Sequence, residues 1–164
     1  MIIIADQIRK LNFDMLAALQ AQHLESVCKK NYRHLSEHEG MNCAKEDYYE
    51  YLRDVFFSRI HGKIYIYEEN GCYICGACFE PYRDGLLLNS LVTLKDHRRK
   101  GYAERLLSCV LGHLCHEPVY VHIYEKNIAS LRLHEKLGFK CLHAYAHMLD
   151  GAVRSDYFTY VKNI

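Results

Sequence analysis

The chain of 164 residues has only two prolines, and no apolar run comes near the roughly eighteen residues that a membrane span needs. It also lacks an excess of either charge: 21 basic residues face 20 acidic ones, a formal net charge of +1. This excludes a field that would draw the whole protein onto nucleic acid or an anionic membrane, so any anion must be held by locally gathered charge. Residues 1–5 are apolar over too short a stretch for a signal-peptide core, and a cytoplasmic protein is expected. No segment repeats or turns low in complexity, and Pro81 and Pro118 both fall between expected elements. Residues 1–164 therefore read as a single domain, long enough to bury about two thirds of its unfolded surface.

Cysteine is plentiful by contrast, with eight residues at 28, 43, 72, 75, 78, 109, 115 and 141. Without an export signal they read as reduced thiols and not as a disulfide framework. Cys72-x-x-Cys75-x-x-Cys78 has the look of a metal motif, but its surroundings read as a strand. Alternation there sends Cys75 to the face opposite Cys72 and Cys78, so no metal is expected. His113, Cys115 and His116 end a helix at separations that do not share a helical face.

Ile2 to Ile4 suits a first strand, and Met15, Leu16, Leu19, Leu24 and Val27 mark a helix over residues 14 to 30. A second helix over 44 to 58 carries Tyr48, Tyr51, Leu52, Val55 and Phe56 on one side. Residues 63–68 and 72–79 form a hairpin about Asn70-Gly71, a pair that tolerates positive φ. A strand at 86 to 93 pairs beside it and a helix of about 102 to 116 follows. Val119 to Ile123 enters as a parallel strand, a short helix runs from 128 to 137, and residues 139–148 and 155–161 close as a hairpin around Asp150-Gly151.

The densest chemical signal lies between the strand at 86 to 93 and the next helix, where Lys95-Asp96-His97-Arg98-Arg99-Lys100-Gly101-Tyr102-Ala103-Glu104 makes a basic glycine turn. The first NH groups of a helix have no partner inside it and together carry about half a positive charge, so they accept an anion readily. Gly101 and Ala103 let a phosphate approach the backbone, while Arg98, Arg99 and Lys100 supply charge around it. Taken alone, the same run also fits a solvated basic turn or a short nucleic-acid patch.

Arg98-x-x-Gly101-x-Ala103 between such a strand and helix resembles the acetyl-coenzyme A signature of the GNAT N-acetyltransferase superfamily. Asn127-Ile128-Ala129-Ser130 through Leu133-His134-Glu135-Lys136-Leu137-Gly138-Phe139 resembles the family's later block, in which Asn opens a helix and Leu-Gly-Phe closes it. The resemblance anchors residues 86 to 145; residues 1 to 85 agree only in their order of elements. It implies an α/β (α+β) GNAT acyltransferase fold, a mixed and mostly antiparallel sheet flanked by helices, with the fourth and fifth strands splayed. It also implies acetyl-coenzyme A as cosubstrate, with pantetheine lying in the splay beside Leu91, Val92 and Thr93. The diphosphate would sit on Arg98, Arg99, Lys100, Gly101, Tyr102, Ala103 and Glu104, Asn127 would hydrogen-bond the pantetheine arm, and Ser130 would be a further cofactor contact.

Acetyl transfer needs a neutral amine, an acceptor for the oxyanion and departure of a thiolate. An alkyl ammonium of pKa about 10.4 is neutral in roughly one molecule in 2,500 at pH 7, a handicap of roughly 4 to 5 kcal/mol; an α-amino group loses only about 1 to 1.5. The family often has Tyr where this chain has His134, two helical turns and about 10.5 Å along the axis from Asn127. His134 is the expected proton donor to sulfur, or else a helix histidine facing solvent or packed against the last strands. Glu125, His122 and Glu80 are candidate bases, and Tyr145 and Tyr157, with Tyr32, Tyr48, Tyr49 and Tyr51, candidate acceptor contacts. The fourth strand carries Leu87, Leu88 and Asn89 where some family members have a catalytic Glu. That absence keeps a catalytically silent coenzyme A-binding module as the alternative. The expected partner is an amine of unassigned identity; a nucleic acid or membrane is not expected, and a homodimer is possible.

Overall fold

Apolar residues drive the central sheet, whose middle strands are buried on both faces while its edge strands are partly exposed. The computed structural model describes residues 1–114 and 117–163; Cys115 and His116, at the expected helix end, lie outside these. Strand β1 (Ile2–Ala5) pairs antiparallel with β2 (Lys63–Glu69), β2 with β3 (Cys72–Tyr82), and β3 with β4 (Gly85–Thr93). The β2–β3 turn is the expected one, with Asn70 at φ 51° and Gly71 at φ 73°. Strand β5 (Val119–Tyr124) is parallel to β4, and β9 (Tyr157–Lys162) lies between β5 and β6 (Lys140–His143), antiparallel to both.

Two helices cover one face of this seven-stranded sheet. From α4 (Tyr102–His113), Leu106, Leu107, Val110 and Leu111 pack on Phe79, Leu88, Val119, Val121 and Ile123. Leu131, Leu133 and Leu137, in and just after α5 (Ile128–Lys136), join the same cluster. The other face receives α1 (Phe13–Leu19), whose Leu16 and Leu19 meet Ile64, Ile66 and Tyr73. Helices α2 (Ala21–Asn31) and α3 (Glu37–Glu50) form their own small core with α1 through Ala17, Leu24, Cys28 and Ala44.

Three boundaries differ from the sequence reading. The expected helix over 14 to 30 breaks at Gln20, which ends α1 and starts α2. The expected helix at 44 begins instead at Glu37, under a capping box in which Ser36 and Glu39 bond reciprocally. It then widens into a π-helical turn at Tyr51–Phe57, which turns Leu52, Phe56 and Phe57 inward together. The closing hairpin is interrupted: β7 (Ala146–His147) leaves the main sheet and pairs with β8 (Val153–Arg154).

Cys75 and Cys78 fall in separate core clusters on opposite sides of the sheet, as alternation requires, and Cys72 is exposed. Among the described residues no group of three or more His, Cys, Asp or Glu is placed to hold a metal ion, and no helix is long and apolar enough to cross a membrane.

Gly85 sets where β4 meets β5. A Cβ there would lie 2.0 Å from the Pro118 carbonyl oxygen, the group that accepts the Leu86 amide at 3.0 Å. Gly85→Ala is therefore expected to lower unfolding stability by about 1–3 kcal/mol, the usual cost of an overpacked site, read from urea midpoints at constant slope.

Candidate active site

Strands β4 and β5 pair at only two positions, Leu86 with Val119 and Leu87 with Tyr120. Beyond them β4 continues alongside β3, where Leu91, Val92 and Thr93 face Ala77, Gly76 and Cys75. Their other edge has no strand beside it among the described residues, although all three are half-buried. Buried backbone polar groups require partners, so this edge is a ready template for an extended ligand.

A short 3₁₀ turn at Lys95–His97 follows β4. Arg99 (φ 64°) and Gly101 (φ 84°) are both left-handed and swing the chain into the start of α4. No side chain caps that helix, and a Cβ placed on Gly101 would meet only Arg105 Nε, at 4.0 Å. The helix start therefore combines open space with amides that helix geometry leaves unpaired.

The basic residues differ in their engagement. Arg98 donates through Nε to the Thr93 carbonyl at 3.1 Å and through Nη2 to Gln22 Oε1 at 2.7 Å, tying the turn to β4 and α2. Arg99 and Lys100 are exposed. Tyr102 donates to Glu69 at 2.6 Å, a bond that pushes its phenol above the usual range, and Glu104 pairs with Lys136 of α5 at 2.7 Å. Asn127 caps α5 by accepting the Ser130 amide at 3.2 Å, which brings both residues to the helix start.

His134 lies one turn further along α5, 1% exposed, edge-on to Phe139 at 5.1 Å between ring centres. Its Nδ1 is 2.8 Å from the Ser130 carbonyl, an acceptor, so that nitrogen carries the proton. Nε2 is buried without a partner, and burial holds the ring below its ordinary pKa. A neutral ring in this tautomer presents a lone pair at Nε2, and donation toward sulfur would require the proton to move there. The ring therefore does not face solvent, and packs on Phe139 just ahead of β6.

The opposite face of the splay is where an acceptor could enter. Ser90 pairs with Cys78 and Leu88 with Phe79, leaving Asn89 as a bulge with no cross-strand partner. Asn89 borders two cavities. One of about 590 Å³ is lined by Gln20, His23, Asp47, Tyr48, Tyr51 and Phe56, among others from the helical side. The other, about 410 Å³, is lined by Leu87, Leu88, His122, Met148, Asp150 and Tyr157 with others.

Two titratable side chains on this face, buried Glu80 and half-buried His122, each hold a buried polar atom. Glu80 is 1% exposed, with Oε1 unpartnered and its carboxyl pushed up by burial; burial, with a smaller effect of Glu80, also raises the phenol of Tyr51 and the thiol of Cys78, the latter to about 12. His122 places Nδ1 3.1 Å from Thr159 Oγ1, while its Nε2 is buried without a partner.

Among the other sequence candidates, Tyr48 and Tyr51 line the larger cavity and Tyr157 the smaller. Tyr32 instead donates to Asp47, and Tyr49 packs edge-on against Phe13. Glu125 is exposed at the end of β5, with its amide on the Asp156 carbonyl. Tyr145 is exposed and stacked on His143; its carbonyl accepts the Thr159 hydroxyl at 2.7 Å. Sequence reasoning missed Gln20, His23 and Asp47, which carry no motif: Gln20 and His23 stand at and just after the break between α1 and α2, and Asp47 comes from α3.

The two kinds of buried group act in opposite directions on stability. Glu80 binds its proton more tightly folded than unfolded, so its contribution is present below pH 4.5 and lost as pH rises through the folded value; His122 and His134 bind theirs less tightly, so stability falls as pH drops below 6.5. Glu80→Gln should gain on the wild type steadily as pH rises from 4.5 to 8 in urea titrations. A pH-independent difference would show that the carboxyl does not titrate in this range.

The acetyltransferase (GNAT) family matches the chain over residues 24–139. No curated protein sequence matches it. Among solved structures, an N-acetyltransferase from Staphylococcus aureus Mu50 superposes with a TM-score of 0.65 at 16% identity, covering 97% of this chain and 99% of that one. PaiA N-acetyltransferase from Thermoplasma acidophilum, solved in complex with coenzyme A, has a TM-score of 0.62 at 16% identity over 100% and 99% of the two chains. Ribosomal-protein-S18-alanine N-acetyltransferase from Escherichia coli has a TM-score of 0.59 at 18% identity over 100% and 94%. These likenesses show the fold. With the family match extending over more than half of the chain, the splayed sheet and its basic turn belong to a member of the GNAT acetyltransferase family.

Proposed function

We propose that this protein is an acetyl-coenzyme A-dependent N-acetyltransferase that transfers the acetyl group to a primary amine of a small molecule or a protein. The observation that carries the reading is continuous: the open edge of Leu91–Thr93 leads, within ten residues, into the uncapped start of α4. A linear thiol carrier ending in a diphosphate has complementary ends. Its amide-bearing arm adds to the strand edge, and its diphosphate meets the amides of Tyr102, Ala103 and Glu104 with Arg98, Arg99 and Lys100 around it. Asn127 and Ser130, at the start of α5, face the arm from the other side of the splay.

Acetyl-coenzyme A supplies the activated acyl group; the chain supplies position and charge. The bulge at Asn89 leaves β4 backbone without a ladder partner beside the splay, a donor type worth a few kcal/mol when aimed at an oxyanion. The leaving thiol resembles cysteine, pKa about 8.5, so its thiolate can depart near neutrality without a dedicated acid. That agrees with a His134 whose one ring proton is held by Ser130.

Thiol release from acetyl-coenzyme A, screened over amines and peptides, tests the assignment; binding without turnover across the panel would indicate a silent module instead. Arg98→Glu should raise KM for acetyl-coenzyme A by about tenfold or more through lost charge-assisted contacts, with a smaller change in kcat. His134→Ala should lower kcat by less than about tenfold, since a proton donor contributes 10²–10⁴ and this ring is held as an acceptor. A larger fall in kcat would restore His134 as the acid.

A further inference from the structure

The buried polar groups on the acceptor face point to a proton acceptor and to a substrate shape. Thr159 has one hydroxyl proton, and it goes to the Tyr145 carbonyl at 2.7 Å. The Thr159 oxygen 3.1 Å from His122 Nδ1 must then accept, so Nδ1 carries the imidazole proton and Nε2 holds a lone pair. That Nε2 is buried with no partner, on a ring that lines the 410 Å³ cavity together with Asn89. His122 stands on β5 just past the last β4–β5 pair, where the strands diverge.

Asn89 also borders the 590 Å³ cavity, whose walls include Tyr48, Tyr51 and Phe56 and whose lining contains Asp47 but no lysine or arginine. Its volume falls in the range of small-molecule sites, and its walls suit an apolar body carrying a positive charge.

Resting on the acetyltransferase reading, we propose that the acceptor is a small primary amine with an apolar body, seated among Tyr48, Tyr51 and Phe56 with its nitrogen at Asn89, and that Nε2 of His122 takes its proton. The ammonium gives one proton to Nε2 and becomes a free amine. Its lone pair forms the C–N bond to the acetyl carbon as the C–S bond breaks. The second nitrogen proton goes to the departing thiolate, and His122 returns its own to water, so the sum is amide, free thiol and one released proton. The charged and titratable groups around His122 are Arg83, His147, Asp150, Tyr82 and Tyr157. Burial, and more weakly the positive charge of Arg83, outweigh an opposing interaction with the His147 backbone and keep the ring below its ordinary pKa.

Amines of graded acidity separate a proton acceptor from a structural ring. With an ordinary arylalkylamine, His122→Gln should lower kcat/KM by about 100-fold or more. With a fluorinated ethylamine, already largely neutral at the assay pH, the same variant should lose less than about fivefold. Titration of coenzyme A into His122→Gln by calorimetry, unchanged from wild type, shows that the variant is folded. Val27→Phe, which narrows the larger cavity from α2, should raise KM for the arylalkylamine and weaken its calorimetric binding to coenzyme A-loaded protein, with KM for acetyl-coenzyme A unchanged. Equal losses with both amines, or a Glu80→Gln variant that shows the differential loss while His122→Gln does not, would overturn the role of His122. Turnover with peptides but with no small amine would overturn the substrate class and leave the acetyltransferase assignment standing; absence of turnover with any acceptor would remove that assignment as well.

Discussion

The site depends on the parting of two parallel strands after two paired residues. A parallel pair normally continues its ladder because every unpaired buried amide or carbonyl is costly. Here Gly85, packed against the Pro118 carbonyl, brings β4 and β5 together at Leu86 and Leu87, and past that point no strand among the described residues pairs with this edge of β4. Strand β3 pairs along its other edge except at the bulge of Asn89, and α4 packs beneath the sheet through Leu106, Leu107 and Val110. The opening is thus a slot in the sheet, and the basic turn lies at its end because β4 leads directly into it.

Around that slot the protein keeps polar atoms in expensive positions. Glu80 Oε1, His122 Nε2 and His134 Nε2 are all buried and unpartnered, and leaving such a group unsatisfied costs about 1–3 kcal/mol. His122 lies on β5, which borders the splay, His134 on α5 and Glu80 on β3, next to β4, whereas the cluster beneath α4 is built from apolar side chains. The contrast separates the part of the molecule that confers stability from the part that uses some of it for chemistry.

Much of this was legible in the sequence, for local reasons. Asn70-Gly71 announces its hairpin because both residues tolerate positive φ, and Arg98-x-x-Gly101-x-Ala103 announces its turn because a helix must start there without a cap. Less legible were features set by tertiary contact. The first helix has an unbroken apolar stripe, so the break at Gln20 does not show. The start of α3 was signalled by Ser36-x-x-Glu39, yet its inward face is only Gly40 and Ala44, too small to register as a hydrophobic stripe. Those small residues are needed there: a Cβ on Gly40 would lie 2.8 Å from Cys28 Sγ of α2. The bulge at Asn89 and the tautomers of His122 and His134 depend on partners far along the chain or on backbone carbonyls, which no spacing rule reports. The same holds for Arg98, whose partner Gln22 lies 76 residues away.

That guanidinium has a mechanical consequence. It bonds the end of β4 with one nitrogen and the flank of α2 with another, and α2 forms a wall of the larger cavity through His23, Leu24 and Val27. A phosphate that recruited the Nη2 of Arg98 would release Gln22 and unlatch that wall from the turn. One side chain thereby couples the arrival of the nucleotide to the freedom of the helix over the other entrance, so that the two substrates need not enter independently.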